Sequence, residues 1–268
     1  MSDLLSRSWK KVNWGKLSAP PNAVFIGSCF STEIAKRAEG AGWQVLSNPM
    51  GTLFQPIVIA DWIRESMGEA AMDWEQHCIQ HEDQTKCLMA GKSLNGASMH
   101  EVLKKMNLVK QHLFISMQNA DLLVVTFGTA YAWNFLPTQR WVGNCQRLQQ
   151  QYFQRELIAL EVLEKYWYDT ISIIQNHFPN LRIVFTVSPV RHEKLGVVEN
   201  ARSKAILLEL CHRLQSRGDV YYFPSYEWIT DELRDYSFYQ TDGCHPNDVA
   251  IDFVFQKWIQ TFQNDEKI

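Results

Sequence analysis

Small nucleophilic residues follow the first strongly apolar run of the chain, in the stretch AVFIGSCFSTEIAK. The apolar run stops at Gly27, Ser28 and Cys29 come next, and helical spacing begins after them. A hydroxyl or thiol at the start of a helix lies beside unpaired N–H groups, which stabilise a thiolate and donate to an oxyanion. This predicts a nucleophile at a strand-to-helix turn, either Ser28 or Cys29. The alternative is a plain turn with Ser28 or Ser31 as the helix N-cap.

A second chemical pattern, DGCHPN, lies near the carboxyl end of the sequence. Asp242 stands three residues before His245, and such a carboxylate can hold the imidazole through Nδ1, so that Nε2 acts as a base. Pro246 suits the first turn of the closing helix, which would place His245 at that helix's N-terminus. The alternative is that Asp242 caps the helix and His245 is an ordinary surface residue.

Other polar and aromatic residues are candidates for ligand binding. Arg191 and His192 occur together in SPVRH, where an arginine either binds a carboxylate or phosphate of a ligand or pairs with a protein carboxylate. Asn144, in VGNC, carries an amide that can donate to an oxyanion. Trp133 is a candidate pocket aromatic, although core packing is the commoner role of such residues.

Strands and helices alternate along the chain and would position these residues. The alternation predicts a mostly parallel sheet between two helical layers, with ligands bound at the carboxyl ends of the strands. Gly51 and Gly128–Thr129 also follow predicted strands. The predicted strands cover residues 23–28, 43–47, 121–128, 182–189 and 220–224. The predicted helices cover residues 31–42, 56–67, 98–118, 155–178, 199–218 and 245–263.

The composition is that of a soluble globular protein, with 46% hydrophobic and 21% charged residues. A net charge of -3 gives no general attraction to nucleic acid or anionic lipid. No apolar run approaches the roughly 20 residues of a membrane helix. We expect one domain over 1–268, with a small hairpin-like insertion near 72–97.

The cysteines and histidines point to no metal or cofactor. The six cysteines form no CxxC pair, and the N-terminus lacks the pattern of a secretory signal. Free thiols in a reducing cytoplasm are therefore expected. The histidines show no metal-ligand spacing, and the oligomeric state stays open.

Taken in order along the chain, these motifs resemble the SGNH (GDSL) hydrolase superfamily, and within it the GSCFA family. Residues Gly27–Ser31 read GSCFS and correspond to the residues that name that family. The resemblance extends from Ala23 to Asn247. It is carried by the stretches NPMGTLFQP, TFGTAYAW, VGNC, TVSPVRH, ENARSK, YYFPSYE, LRDYSFY and DGCHPN.

The resemblance implies a three-layer α/β/α sandwich with a flavodoxin-like, mostly parallel sheet, and it assigns roles to residues. Aligning Gly27 with the glycine of Gly-Asp-Ser-Leu places Cys29 on the nucleophile, with Ser28 as the second candidate. Asp242 and His245 match the triad acid and base, and Gly51 matches the oxyanion glycine.

One departure concerns the third sequence block. The superfamily pattern there is Gly-x-Asn-Asp, whereas this chain continues Gly128-Thr129-Ala130-Tyr131. The oxyanion asparagine is therefore absent at that position. Either Asn144 replaces it or the oxyanion relies on backbone N–H groups.

The implied function is hydrolysis of an acyl ester, on a small molecule, carbohydrate or lipid, through an acyl-enzyme on Cys29 or Ser28. No cofactor is implied. Acyl transfer is an alternative, since a thioester also reacts with amines and alcohols. A homologue that binds its ligand without turnover is the other alternative, and the missing asparagine favours it.

Overall fold

The structure is a computed structural model that describes residues 20–70, 73–192, 196–218 and 220–262. Its strands are β1 (Asn22–Gly27), β2 (Gln44–Ser47), β3 (Cys78–His81), β4 (Gln84–Cys87), β5 (Leu122–Phe127), β6 (Tyr131–Phe135), β7 (Arg140–Val142), β8 (Phe153–Leu157), β9 (Arg182–Val187) and β10 (Val220–Tyr222). Its helices are α1 (Cys29–Gly40), α2 (Pro56–Ser66), α3 (Met99–Asn119), α4 (Leu160–His177), α5 (Val197–Gln215), α6 (Ser225–Glu227) and α7 (Asp248–Phe262).

Five of these strands form the central sheet, in the order β2-β1-β5-β9-β10. All its neighbours are parallel, with Phe25 opposite Val124 and Val124 opposite Val184. Every residue of β5 is buried, as expected for a strand covered on both faces. Counted within this sheet, the order is 2-1-3-4-5, which is the flavodoxin-like arrangement. The predicted fold class is therefore confirmed.

Helices cover both faces of the sheet. Successive strand residues point to opposite sides, so the apolar residues of one strand contribute to two cores. Val24 packs into the core formed with helices α2 to α5, whereas Phe25 packs into the core formed with α1 and α7. The ring centroids of Trp258 in α7 and Phe25 lie 6.3 Å apart. On the other face, those of Trp167 in α4 and Phe127 lie 5.1 Å apart. Each such buried apolar side chain contributes about 1.5–3 kcal/mol.

A second, antiparallel sheet of order β7-β6-β8 was not predicted. Phe153 of β8 pairs with Phe135 of β6, and Arg155 pairs with Trp133. The predicted start of a helix at residue 155 is therefore wrong, since α4 begins at Leu160. The backbone of residues 153–157 is used in the ladder with β6, and this tertiary pairing overrides the local helical pattern.

The closing helix begins later than predicted, at Asp248. Residues 241–245 form a loop of turns and bends, closed by the N–H of Gln240, which donates to the carbonyl of His245 at 2.7 Å. Pro246 then forms an antiparallel bridge with Tyr239. The side chain of Asn247 accepts the N–H of Ala250 at 3.1 Å, as an N-cap does. The predicted place of Pro246 in the first helical turn is therefore wrong, and His245 precedes the helix instead of starting it.

The segment 72–97 contains the hairpin β3–β4, with Cys78 opposite Cys87. A further antiparallel bridge joins Thr85 to Gly96. Met72 lies outside the described residues. The single domain over 1–268, with an insertion near 72–97, stays a prediction.

Candidate active site

The turn after β1 is tightly packed against the neighbouring strand β5. Gly27 has φ +140°, and a Cβ there would lie 2.1 Å from the carbonyl oxygen of Thr126. The N–H of Ser28 donates to that same oxygen at 3.2 Å. The N–H of Gly27 donates to Oδ1 of Asn48, on the far side, at 2.8 Å. Only glycine fits this position, and its bonds fix where the next two residues point.

Ser28 and Cys29 have different surroundings. Ser28 is 1% exposed, and its Oγ has no hydrogen-bond partner. It holds the N-cap position of α1 without a side-chain capping bond. Cys29 is the first residue of α1, is partly exposed, and lines a cavity of about 580 Å³. Cys29, and not Ser28, therefore lines the cavity.

The pKa of Cys29 reflects opposing influences. Burial raises the pKa above the ordinary value for a thiol. The backbone N–H groups of Phe30 and of Cys29 itself act against this, as does the positive charge of Lys204. The N–H contribution is that expected at a helix N-terminus, where the first amides have no intrahelical partner.

Asp242 and His245 are joined as the sequence interpretation proposed. Oδ2 of Asp242 lies 2.6 Å from Nδ1 of His245. Oδ1 accepts the backbone N–H groups of Cys244 and His245 at 2.9 and 3.0 Å. These bonds to the charged form lower the pKa of Asp242 to about 2. An ionised carboxylate only accepts, so Nδ1 must carry a proton, and the neutral imidazole presents a lone pair on Nε2.

The same cavity brings together most of the candidate residues. Its lining includes Cys29, Thr129, Trp133, Arg191, His192, Asp242 and His245. No hydrogen bond joins Cys29 to His245 in the structure, although both line this one space. Apo sites often show such loose geometry before substrate binds.

His192 is a neutral companion of the catalytic candidates. Burial and the nearby charge of Lys204 lower its pKa to about 4. The centroid of its ring lies 5.8 Å from that of Phe54 in an edge-on arrangement, and its backbone N–H donates to Oδ1 of Asn200 at 3.1 Å. The rival histidine of the sequence thus lines the cavity without a carboxylate partner among the described residues.

The predicted oxyanion glycines, Gly51 and Gly128, do not line this cavity. The N–H of Gly51 donates to the carbonyl of Asn48 at 2.8 Å. The amides of Gly128 and Thr129 both donate to the carbonyl of Phe54, at 2.7 and 3.0 Å. Neither glycine lines the cavity, and these amides are already used within the protein.

Asn144 is also placed away from the cavity lining. Its Oδ1 accepts the N–H of Gln146 at 2.8 Å, and its own N–H donates to Leu88. Thr52, which the sequence interpretation missed, does line the cavity. Its backbone N–H donates to no acceptor among the residues that the structure describes.

Lys204 is a second residue that the sequence interpretation missed. It is 1% exposed, and its Nζ donates to the carbonyls of Gly128 and Ser188, both at 2.7 Å. Burial lowers its pKa to about 7, and interaction with the charged Cys29 acts in the opposite direction. The sequence did hold a signal, because Lys204 lies three and seven residues before the buried Leu207 and Cys211 on one helix face.

The described part of the chain contains neither a metal-binding cluster nor a membrane-spanning helix. No group of three or more His, Cys, Asp or Glu side chains there is arranged to hold a metal ion. None of the described helices has both the length and the apolar character to span a bilayer.

Comparison with known families places the chain. Residues 22–258 match the model of the GSCFA family, and the chain belongs to this family. A search of curated proteins found no match.

Solved structures give distant likenesses. A Clostridium thermocellum family 3 carbohydrate esterase aligns at 11% identity and a TM-score of 0.39, over 89% of this chain and 93% of its own. An acetyl xylan esterase (Est2A) from the rumen bacterium Butyrivibrio proteoclasticus aligns at 12% identity and a TM-score of 0.41, over 88% of this chain and 54% of its own. A further crystal structure aligns at 16% identity and a TM-score of 0.33, over 53% of this chain and 64% of its own. The chain thus spans less than two thirds of the length of two of these three.

Proposed function

We propose that the protein is an acyl-ester hydrolase that works through a thioester on Cys29. One observation carries the proposal. A thiol at the start of α1 and an imidazole held by an ionised carboxylate line the same cavity. The order of the motifs along the chain and the flavodoxin-like sheet further support kinship with the SGNH hydrolases.

The reaction has two halves. Nε2 of His245 takes the thiol proton of Cys29, and the thiolate attacks the ester carbonyl carbon. The S–C bond forms, the C–O bond breaks, and the leaving alkoxide takes the proton from His245. Water, deprotonated by the same imidazole, then attacks the thioester, and the departing thiolate recovers a proton. Asp242 keeps the imidazole oriented and stabilises its charged form.

Lys204 favours cysteine over serine as the nucleophile. A buried ammonium is costly unless a negative charge lies nearby. The described residues place two carbonyl oxygens on Nζ of Lys204 and no carboxylate. The thiolate that forms on Cys29 in the reaction supplies such a charge. Lys204 acts to lower the pKa of Cys29, and charged Cys29 acts to raise the pKa of Lys204. A neutral hydroxyl at this turn would give no such compensation.

Stabilisation of the oxyanion falls to backbone groups. The N–H of Cys29 is unpaired at the helix start, and the N–H of Thr52 is free of described acceptors in the cavity lining. Together they replace the donors expected from Gly51 and from the missing asparagine. Loss of one oxyanion donor costs about 2.7–4 kcal/mol in other enzymes, so modest turnover is expected.

Binding without turnover is the second candidate function. It is favoured by one observation, namely that the amides of Gly51, Gly128 and Thr129 are occupied by protein carbonyls. Acyl transfer shares the thioester intermediate with hydrolysis. It differs only in whether water or another nucleophile ends the cycle.

The test is to locate the acyl group. The protein is treated with 4-nitrophenyl acetate and digested, and the acetylated peptide is identified by mass spectrometry. We expect acetyl on Cys29 in the wild type and in Ser28→Ala, and none at this turn in Cys29→Ala. Cys244→Ala is the matched control, because Cys244 is a second thiol in the same cavity lining but does not stand at the first residue of a helix.

Two results would contradict the proposal. An acetyl adduct on Ser28 that persists in Cys29→Ala would identify the Ser28 hydroxyl as the nucleophile. The absence of any adduct with short or long acyl donors would favour binding without turnover. Decay of the adduct in water, as against decay only with an added alcohol or amine, separates hydrolysis from transfer.

A further inference from the structure

Arg191 is held rigidly at the edge of the active-site cavity. Its guanidinium lies over the rings of Tyr236 and Tyr239, at 4.6 and 4.5 Å from their centroids. Its backbone N–H donates to the carbonyl of Cys244 at 3.0 Å. Because Cys244 precedes His245, this bond fixes Arg191 beside the segment that carries the catalytic base.

Among the described residues, the guanidinium has no carboxylate partner. No carboxylate of a described residue lies within ion-pair distance of Arg191, whereas Arg37 pairs with three acids and Arg213 with two. The two tyrosine rings hold the guanidinium in place, and their hydroxyls also interact with it. A guanidinium has five N–H donors, so donors remain for an anion. An arginine fixed in this way, without an internal carboxylate, is suited to a ligand.

The surroundings are positive in a protein of net charge -3. Arg155 also lines the active-site cavity, where Asp242 is the only acid among the described lining residues and is already bonded to His245. A neighbouring cavity of about 580 Å³ shares Arg191 and includes Lys204, with no acid in its described lining. The field around Cys29 therefore favours a negatively charged ligand.

We propose that Arg191 binds a carboxylate carried by the ester substrate, so that the enzyme acts on acyl esters that bear an acid group. This rests on the proposed function for the ester chemistry at Cys29. The planar guanidinium matches the two oxygens of a carboxylate, and the second cavity gives room for the acidic end of the molecule.

Two alkylating reagents test the site without ester chemistry. Iodoacetate and iodoacetamide both place a two-carbon group on sulfur as iodide leaves, and they differ in a carboxylate against an amide. We expect the iodoacetate-to-iodoacetamide rate ratio at Cys29, followed by peptide mass spectrometry, to fall about tenfold in Arg191→Met. Arg191→Lys, which keeps the charge, retains part of the preference.

The control is Arg234→Met, an exposed arginine paired with Asp231. It changes the net charge equally and should leave the ratio unaltered. An unchanged ratio in Arg191→Met, or an equal fall in Arg234→Met, would overturn the assignment. The iodoacetamide rate alone reports whether the thiol is still intact in each variant.

A measurement on the wild type removes dependence on the folding of any variant. Monomethyl succinate should protect Cys29 from iodoacetamide at concentrations where dimethyl succinate does not. Equal protection would overturn the proposal. If ester acylation fails while iodoacetate is still preferred over iodoacetamide, the hydrolase function is contradicted and an anion site remains. If acylation is normal and iodoacetate is not preferred, only the proposed substrate class is contradicted.

Discussion

Ser28 and Cys29 are adjacent in the chain but occupy different environments. Gly27 turns the backbone against Thr126, so Ser28 points its hydroxyl into the interior, where Oγ has no partner. Cys29 then begins the helix and lines the cavity. Replacing Ser28 by alanine removes an unbonded buried hydroxyl, which makes it a clean control for the nucleophile.

Lys204 gives a prediction about the ionisation of Cys29. The ammonium lowers the pKa of the thiol, while burial raises it. Lys204→Met removes one of the influences that lower the pKa of Cys29, so this pKa should rise further. We expect the pH of half-maximal alkylation of Cys29 by iodoacetamide to shift upward by about one unit.

The control for this prediction is Lys36→Met, which removes an exposed ammonium that pairs with Glu33. Lys204→Met also leaves the carbonyls of Gly128 and Ser188 without their donor, at a cost of about 1–3 kcal/mol in stability. The pH profile separates the two effects, because lower stability by itself does not shift the titration of a thiol in the folded protein. An unshifted profile would remove Lys204 from the account of the nucleophile.

At the scale of elements, the strand-to-helix turn gives a prediction about stability. Gly27→Ala places a methyl group 2.1 Å from a backbone oxygen at φ +140°. We expect the free energy of unfolding to fall by at least about 2 kcal/mol, measured by urea denaturation.

Gly40→Ala is the matched control, at the other end of the same helix. A Cβ there meets nothing within 4 Å. Alanine at this position should leave stability unchanged or raise it by up to about 1 kcal/mol. Similar denaturation midpoints for the two variants would contradict the tight-turn description.

The elements that can be predicted from the sequence are those whose own apolar pattern indicates that they are buried. Strands β1, β5 and β9 are short, continuous apolar runs, and the structure buries them on both faces. The short strands β6, β7 and β8 depend instead on pairing with each other. Their local sequence carries little of that information, so residues 155–157 were assigned to the following helix.

At the scale of the whole molecule, the sheet order explains how distant motifs meet. Because β1 lies between β2 and β5 and all strands of the central sheet run parallel, their carboxyl ends share one edge. The turn at residue 29 and the loop at residue 191 follow two of these strands and line one cavity, joined there by the segment at 242–245. The alternation of strands and helices was enough to predict this convergence.

The same scale shows why part of the candidate site could not be predicted. Whether an amide is free depends on which carbonyl the fold brings against it. Phe54 takes the amides of Gly128 and Thr129, and Asn48 takes that of Gly51. Lys204 comes from α5 and reaches the ends of β5 and β9. Such contacts arise from packing between elements, and no spacing within one motif encodes them.

The central claim is that His245, held by Asp242, activates Cys29, and the acetylation rate of Cys29 in His245→Gln tests it most directly. His177→Gln, which alters a histidine paired with Glu69 outside the cavity lining, is the control. We predict that at pH 7 His245→Gln acetylates Cys29 at least about 100-fold more slowly than the wild type. The deficit should shrink at higher pH, where the thiol ionises without a base. Acetylation of His245→Gln at the wild-type rate at pH 7 would contradict the claim.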